Sequence, residues 1–162
     1  MHKPFVAAAL VVATLAISPA QAQTARAPGS KQPALFSQTS IEKGWKQATT
    51  HQQPMLVMFT SDNCLYCKKM LAETYGHPAI EQMLAANTQT VLAHADNYQA
   101  LVKKLGIRGY PSSVLVSPKG DVLDFMEGFV SPKDFAKRVH PLLQAHARQA
   151  RAQNTAKQTT ER

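Results

Sequence analysis

The only two cysteines of the chain stand three positions apart, in Cys64-Leu65-Tyr66-Cys67, directly after the apolar run Met55-Leu56-Val57-Met58-Phe59 and directly before a helix-like segment. This placement constrains the fold more than any other feature. A continuous apolar run of strand length belongs in the middle of a sheet covered on both faces. A helix that starts at Cys64 turns its unpaired amides and the positive end of its dipole toward that sulfur, which favours a thiolate there, with the second sulfur one turn further on. A bond between the two would close too short a loop to remove much chain entropy, so reversible chemistry explains the pair better than a structural staple.

The N-terminus supplies a compartment. Lys3 precedes an apolar run from Phe5 to Ile17, Ser18-Pro19 ends that run, and Ala20-Gln21-Ala22 fits a small-x-small cleavage site. The run is shorter than the roughly 20 residues that span a bilayer. Residues 1–22 are therefore expected to be a cleaved export signal, with a mature periplasmic protein starting near Gln23. The formal charge of +8 loses one unit with Lys3 and stays strongly basic. For an exported protein this surplus excludes nucleic acid as the expected partner and suits solubility, anionic membrane surfaces or acidic proteins. A chain of 162 residues with 44% hydrophobic content accommodates one domain.

From Gln23 to Gln38 the composition is that of a flexible lead-in, where only Leu35 and Phe36 can dock. Thr39 or Ser40 can cap a helix from Ile41 to about Thr50 that turns Ile41, Trp45 and Ala48 inward. The helix after the cysteines is broken at Gly76-His77-Pro78, and Ala79, Ile80, Met83 and Leu84 then recur at helical spacing. Thr88 to Ala95 reads as a second buried strand. Tyr98 to Leu105 reads as a short helix stopped by Gly106. Ser112–Ser117 and Val122–Met126 flank a turn-rich Pro118-Lys119-Gly120-Asp121 and predict an antiparallel hairpin. Ser131 and Pro132 open a last helix with Phe135, Val139, Leu142 and Leu143 inward, and Pro141 is expected to kink or end it. The basic tail, residues 147–162, has no apolar face and is expected to be disordered, which leaves a domain over residues 39–146.

This order predicts an α/β fold of three layers, a central mixed sheet flanked by helices. Two blocks then carry a resemblance. The strand Met55–Phe59 before Cys64-Leu65-Tyr66-Cys67-Lys68, and Gly106-Ile107-Arg108-Gly109-Tyr110-Pro111-Ser112 before a hairpin, together resemble the active-site blocks of the thioredoxin superfamily over roughly Ile41 to Leu143. The resemblance implies a thioredoxin fold. It also implies that Cys64 is the exposed nucleophile and Cys67 the buried resolving thiol, exchanging through a mixed disulfide. Pro111 resembles the family's cis-proline beside the sulfurs, so Tyr110, Pro111, Leu65 and Tyr66 are the expected substrate-contacting residues. No cofactor or metal is called for.

The chain departs from the family at several positions. Asn63 stands where the family usually has Trp. Met58 replaces the buried acid of cytoplasmic thioredoxins and Leu92 the lysine often near it, which removes the usual proton acceptor for Cys67. Leu65-Tyr66 matches neither the Gly-Pro of thioredoxins nor the Pro-His of the strong periplasmic oxidant. Tyr at the second position occurs in the periplasmic disulfide isomerases, whose dimerisation domain has no counterpart between Gln23 and Ser40, so a monomer is expected. The expectation is an exported thiol-disulfide oxidoreductase acting on cysteine-containing envelope proteins, supplied by a membrane thiol-disulfide electron donor. Its direction is that of a reductant or specialised exchanger rather than of the main oxidant. Two other classes stay open: a copper-handling protein drawing on Met70, His77 or His94, and a non-catalytic module binding through the groove near Pro111.

Overall fold

The computed structural model describes residues 35–160, so the expected export signal and most of the lead-in lie outside the described residues. In chain order the elements are α1 (Ile41–His51), β1 (Met55–Thr60), α2 (Leu65–Lys69) continuing into a π-helical turn (Met70–Tyr75), α3 (Pro78–Asn87) and β2 (Gln89–His94). A 3-10 turn (Ala95–Tyr98), α4 (Gln99–Leu105), β3 (Ser112–Val116), β4 (Val122–Glu127) and α5 (Pro132–Thr160) follow. The strands form one sheet in the order β2-β1-β3-β4. β1 pairs in parallel with β2 and antiparallel with β3, and β3 pairs antiparallel with β4. This is the predicted mixed sheet, with the apolar run at its centre.

Alternation along β1 separates two cores. Leu56 and Met58 face one side, where Cys67, Met70 and Tyr75, Ile80 and Leu84 of α3, and Phe135, Val139 and Leu143 of α5 cover them. Met55, Val57 and Phe59 face the other side, under Ala48 of α1, with Trp45 and with Leu101, Val102 and Leu105 of α4 packed alongside. A strand that points its side chains alternately to two faces can be apolar at every position only if both faces are covered. The close seat of α1 depends on Gly44, where a Cβ would stand 2.3 Å from Val91 Cγ2 on β2. Gly106 closes α4 at φ +69°, the left-handed conformation that glycine adopts without steric cost.

At the N-terminal end the two residues expected to dock are packed, and at the C-terminal end the structure differs from the expectation. Packing begins before Thr39: Leu35 and Phe36 are buried, Gln38 bridges to Val91, and the Leu92 amide donates to the Gln38 carbonyl. At the other end α5 does not stop at Pro141 and runs to Thr160, where a disordered tail was expected. Pro141 removes one helical donor, yet Val139 and Leu143 on either side of it are both buried and hold the flanking turns to the core. Beyond it, Ala, Gln, Arg and Lys are strong helix formers that need no apolar face to continue a helix already nucleated.

One polar contact crosses the first core. The Tyr75 ring is fully buried, lies edge-on to Phe36 and Phe135 at centroid distances of 4.9 and 5.3 Å, and its hydroxyl shares a 2.6 Å hydrogen bond with Ser113 Oγ on β3. Burial pushes the phenol pKa up, so the group stays neutral. Replacing Tyr75 by Phe strands the Ser113 hydroxyl and is expected to cost about 1–3 kcal/mol in urea unfolding. Adding Ser113→Ala should recover much of that loss, because the cost lies in the unpaired group rather than in the lost bond.

Candidate active site

β1 delivers the chain to the end of the sheet, where Asn63 turns it through a left-handed conformation at φ +54°, one that Asn tolerates better than most residues. Cys64 then takes an extended conformation as the N-cap of α2, and its Sγ accepts the Cys67 amide at 3.1 Å. Its carbonyl accepts the Lys68 amide, which starts the helix. Cys64 and Cys67 are joined by a disulfide, with their Cα atoms 5.2 Å apart. The two sulfurs differ in access: Cys64 is partly exposed, whereas Cys67 is 2% exposed and belongs to the first core. Only one of them can meet a second protein.

The second block arrives alongside. The antiparallel register that sets Phe59 opposite Ser112 places Tyr110-Pro111, just before β3, beside the segment that follows β1. The Tyr110–Pro111 peptide is cis, as expected from the resemblance. The Pro111 carbonyl accepts the Gly128 amide at 2.7 Å, and Ser112 Oγ donates to the Gly109 carbonyl at 2.8 Å, which together hold the loop. Tyr110 is half-buried against both cores. Leu65 and Tyr66 stand out from the cysteine loop at 74% and 59% exposure, an apolar rim around the accessible sulfur. Cys64, Cys67, Leu65, Tyr66, Tyr110 and Pro111 thus all lie at the end of the sheet from which β1 enters α2.

The substituted positions are also adjacent in space. Met58 is fully buried in the core that contains Cys67, and the register puts Leu92 and Ser113 on either side of it. The ground beneath Cys67 is therefore apolar, with no carboxylate at the position where the resemblance would place one. Lys69 is turned to the Phe129 ring, 4.5 Å from its centroid, and Lys68 is exposed.

Among the described residues the histidines weighed for copper are not grouped with the cysteines, and Met70, which shares the first core with Cys67, has its sulfur engaged. Met70 is buried with its sulfur accepting the Val130 amide, and His77 caps α3 by accepting the Ala79 amide. His94, at the end of β2, makes a 3.1 Å contact through Nε2 with Asp62 and a 3.7 Å contact through Nδ1 with Asp96. These three are the group of His, Cys, Asp or Glu side chains found close enough for a metal among the described residues, and neither cysteine is in it. The two carboxylates address opposite ring nitrogens, which suits a hydrogen-bonded bridge better than a shared ion. Asp62 was not singled out from the sequence. It comes beside His94 because β1 and β2 are parallel and end together, a register that the sequence alone does not show.

Comparison with known proteins agrees with this geometry. A thioredoxin from Thermus thermophilus superposes with a TM-score of 0.61 at 21% identity, over 66% of this chain and 86% of that one. The C-terminal domain of Neisseria meningitidis DsbD in its oxidised form superposes with a TM-score of 0.54 at 23% identity, over 65% of this chain and 98% of that domain. Among curated sequences, the thiol:disulfide interchange protein DsbD of Neisseria meningitidis serogroup B is 30% identical over 86 residues, which is 51% of this chain and 14% of that protein. The DsbD of Salmonella typhimurium is 27% identical over 143 residues, 81% of this chain and 25% of that protein. The chain thus spans a quarter or less of the length of these curated relatives. Residues 41–142 match the thioredoxin-like domain family, and this chain belongs to that family, with Cys64 and Cys67 paired inside the matched stretch.

Proposed function

We propose that this protein exchanges disulfides with cysteine-containing proteins of the cell envelope, with Cys64 as the attacking sulfur and Cys67 as the resolving one. Its working direction is that of a reductant or specialised exchanger. The observation that carries this reading is the asymmetry of the pair: a partly exposed sulfur at a helix start, bonded to a buried one, beside the cis Tyr110–Pro111 loop. In the reduced protein the Cys64 thiolate attacks a client disulfide, forms a mixed disulfide and expels one client thiolate. Cys67 then attacks Cys64 Sγ, the second client sulfur leaves and takes up a proton, and the Cys64–Cys67 bond closes. Two electrons pass to the client, and a dithiol donor returns them. Tyr110 would supply backbone groups to an extended client segment, while Leu65 and Tyr66 would cover its flanks.

The curated relatives support the exchange chemistry of this scheme, since the DsbD proteins are named for thiol:disulfide interchange. A membrane-held dithiol of that chemical kind is the proposed electron source. The export signal at residues 1–22, a periplasmic location and action as a monomer are parts of the same proposal, supported by the Lys3, Phe5–Ile17 and Ala20-Gln21-Ala22 pattern.

Replacing Cys67 by Ser should leave client proteins bound to Cys64 as mixed disulfides that can be recovered from the periplasm and released by dithiothreitol. The wild-type protein should exchange with glutathione and reduce insulin. Absence of any trapped partner, together with inertness toward both reagents, would sink the reading.

A further inference from the structure

We propose that the cleft at the end of the sheet opposite the cysteines is a second binding site, one that takes a small organic anion with an apolar body. β1 runs from this end toward Cys64, so the two sites are separated by the length of a six-residue strand, roughly 17 Å. Three elements meet at the cleft: the C-terminal end of α1, the turn that joins β3 to β4, and the part of α5 beyond Pro141. They surround a cavity of about 600 Å³, within the range of small-molecule sites. One wall belongs wholly to the extension of α5, where Leu142, Ala145, His146, Gln149 and Gln153 recur at helical spacing. The continuation of that helix past the core thus has a consequence: it closes a cleft over the turn.

The lining selects the ligand. Leu123 and Leu142 give it apolar surface, while its polar groups are chiefly donors. Lys119 forms no ion pair among the described residues. Burial and the Lys119 charge together hold the His146 imidazole below its ordinary pKa, so the ammonium acts across the cleft on α5. Asp121 is the one acidic side chain in the lining, and it is engaged within its own turn. It accepts the Ser117 hydroxyl at 3.1 Å, and the same Ser117 oxygen accepts the Lys119 and Asp121 amides. A lysine without a counter-ion, facing a histidine that it discourages from charging, is complemented by an incoming anion. Gly120, between Lys119 and Asp121, lies over Trp45, since a Cβ there would stand 3.9 Å from Trp45 Cη2. The only tryptophan of the chain therefore reports on this turn.

The test titrates the complete protein with phenylacetate, following Trp45 fluorescence and the ring protons of His146 by NMR. Saturable binding is expected, with the His146 pKa rising in the complex as the anion offsets Lys119. Affinity should grow as pH falls through the histidine range, because His51 and His146 gain charge while Lys119 and Asp121 keep theirs. Phenylacetamide, which has the same body without the charge, should bind about tenfold more weakly or worse, and so should inorganic phosphate, which lacks the body. Lys119→Gln should weaken phenylacetate by about tenfold or more while leaving thermal melting and disulfide exchange as in wild type. Ala150→Phe, which fills the cavity from α5, should abolish binding. Cys64→Ser should bind the probe as wild type does, so this site is tested whether or not the exchange reading holds. Equal affinity for the acid and its amide, phosphate bound as tightly as phenylacetate, an unaltered Lys119→Gln protein, or no saturation at millimolar probe overturns the inference.

Discussion

Replacing Cys64 by Ser is expected to lower disulfide exchange by on the order of a thousandfold or more, to the level of the uncatalysed reaction, without unfolding the protein. The hydroxyl cannot form the mixed disulfide, and Cys67, at 2% exposure, cannot reach a client in its place. The fold should survive because of what Cys64 does for the backbone. It is the N-cap of α2, accepting the Cys67 amide through its side chain, and serine is among the residues that perform this task best. Measured under reducing conditions, where the disulfide makes no contribution in either protein, the urea midpoint should move little. Activity is read by insulin reduction with a dithiol donor. Retention of more than a few per cent of the wild-type rate would remove Cys64 from the nucleophile's role and leave the non-catalytic module as the better account.

The part of the site legible in the sequence was the part encoded by local pattern. An apolar run, a cysteine at a helix start and a proline before a hairpin each announce their own geometry, and the sheet brought all three to one end, as the resemblance implied. The two facing cores were legible for the same reason, because Ile80, Leu84, Phe135, Val139 and Leu143 on one side and Ile41, Trp45 and Ala48 on the other mark inward faces by spacing alone. The extent of α5 was not. A helix carried past Pro141 depends on Val139 and Leu143 being held on both sides of it, a tertiary fact that propensity and a single proline do not reveal. The π-helical turn Met70–Tyr75 was equally hidden. It sits where Tyr75 meets Phe36, Phe135 and Ser113 and where Met70 receives the Val130 amide, so its cause lies in distant partners. The Asp62–His94–Asp96 row belongs to the same class, since it requires knowing that β1 and β2 end side by side.

Met58 is where the departure from the family bears most directly on chemistry, and Met58→Asp is expected to destabilise the protein by roughly 3–5 kcal/mol at neutral pH. The side chain is fully buried between Leu92 and Ser113, and the Ser113 hydroxyl is already engaged by Tyr75. A carboxyl placed there has no cation to pair with, so burial would raise its pKa above the ordinary value near 3.9. The sign of the pH dependence follows. The folded state would hold a proton that the unfolded state releases, so stability is greatest below the unfolded value and is lost as pH rises toward the raised one. Urea unfolding of the variant at acidic and neutral pH, set against wild type, should therefore show a gap that widens with pH. Above its raised pKa, where it is ionised, the same carboxylate would stand in the core that contains Cys67 and accept its proton, so resolution of a mixed disulfide should quicken there even as the fold weakens. A variant of unchanged stability at both pH values would mean that water or a cation reaches this position, and that the apolar ground beneath Cys67 does not set the pace of its deprotonation.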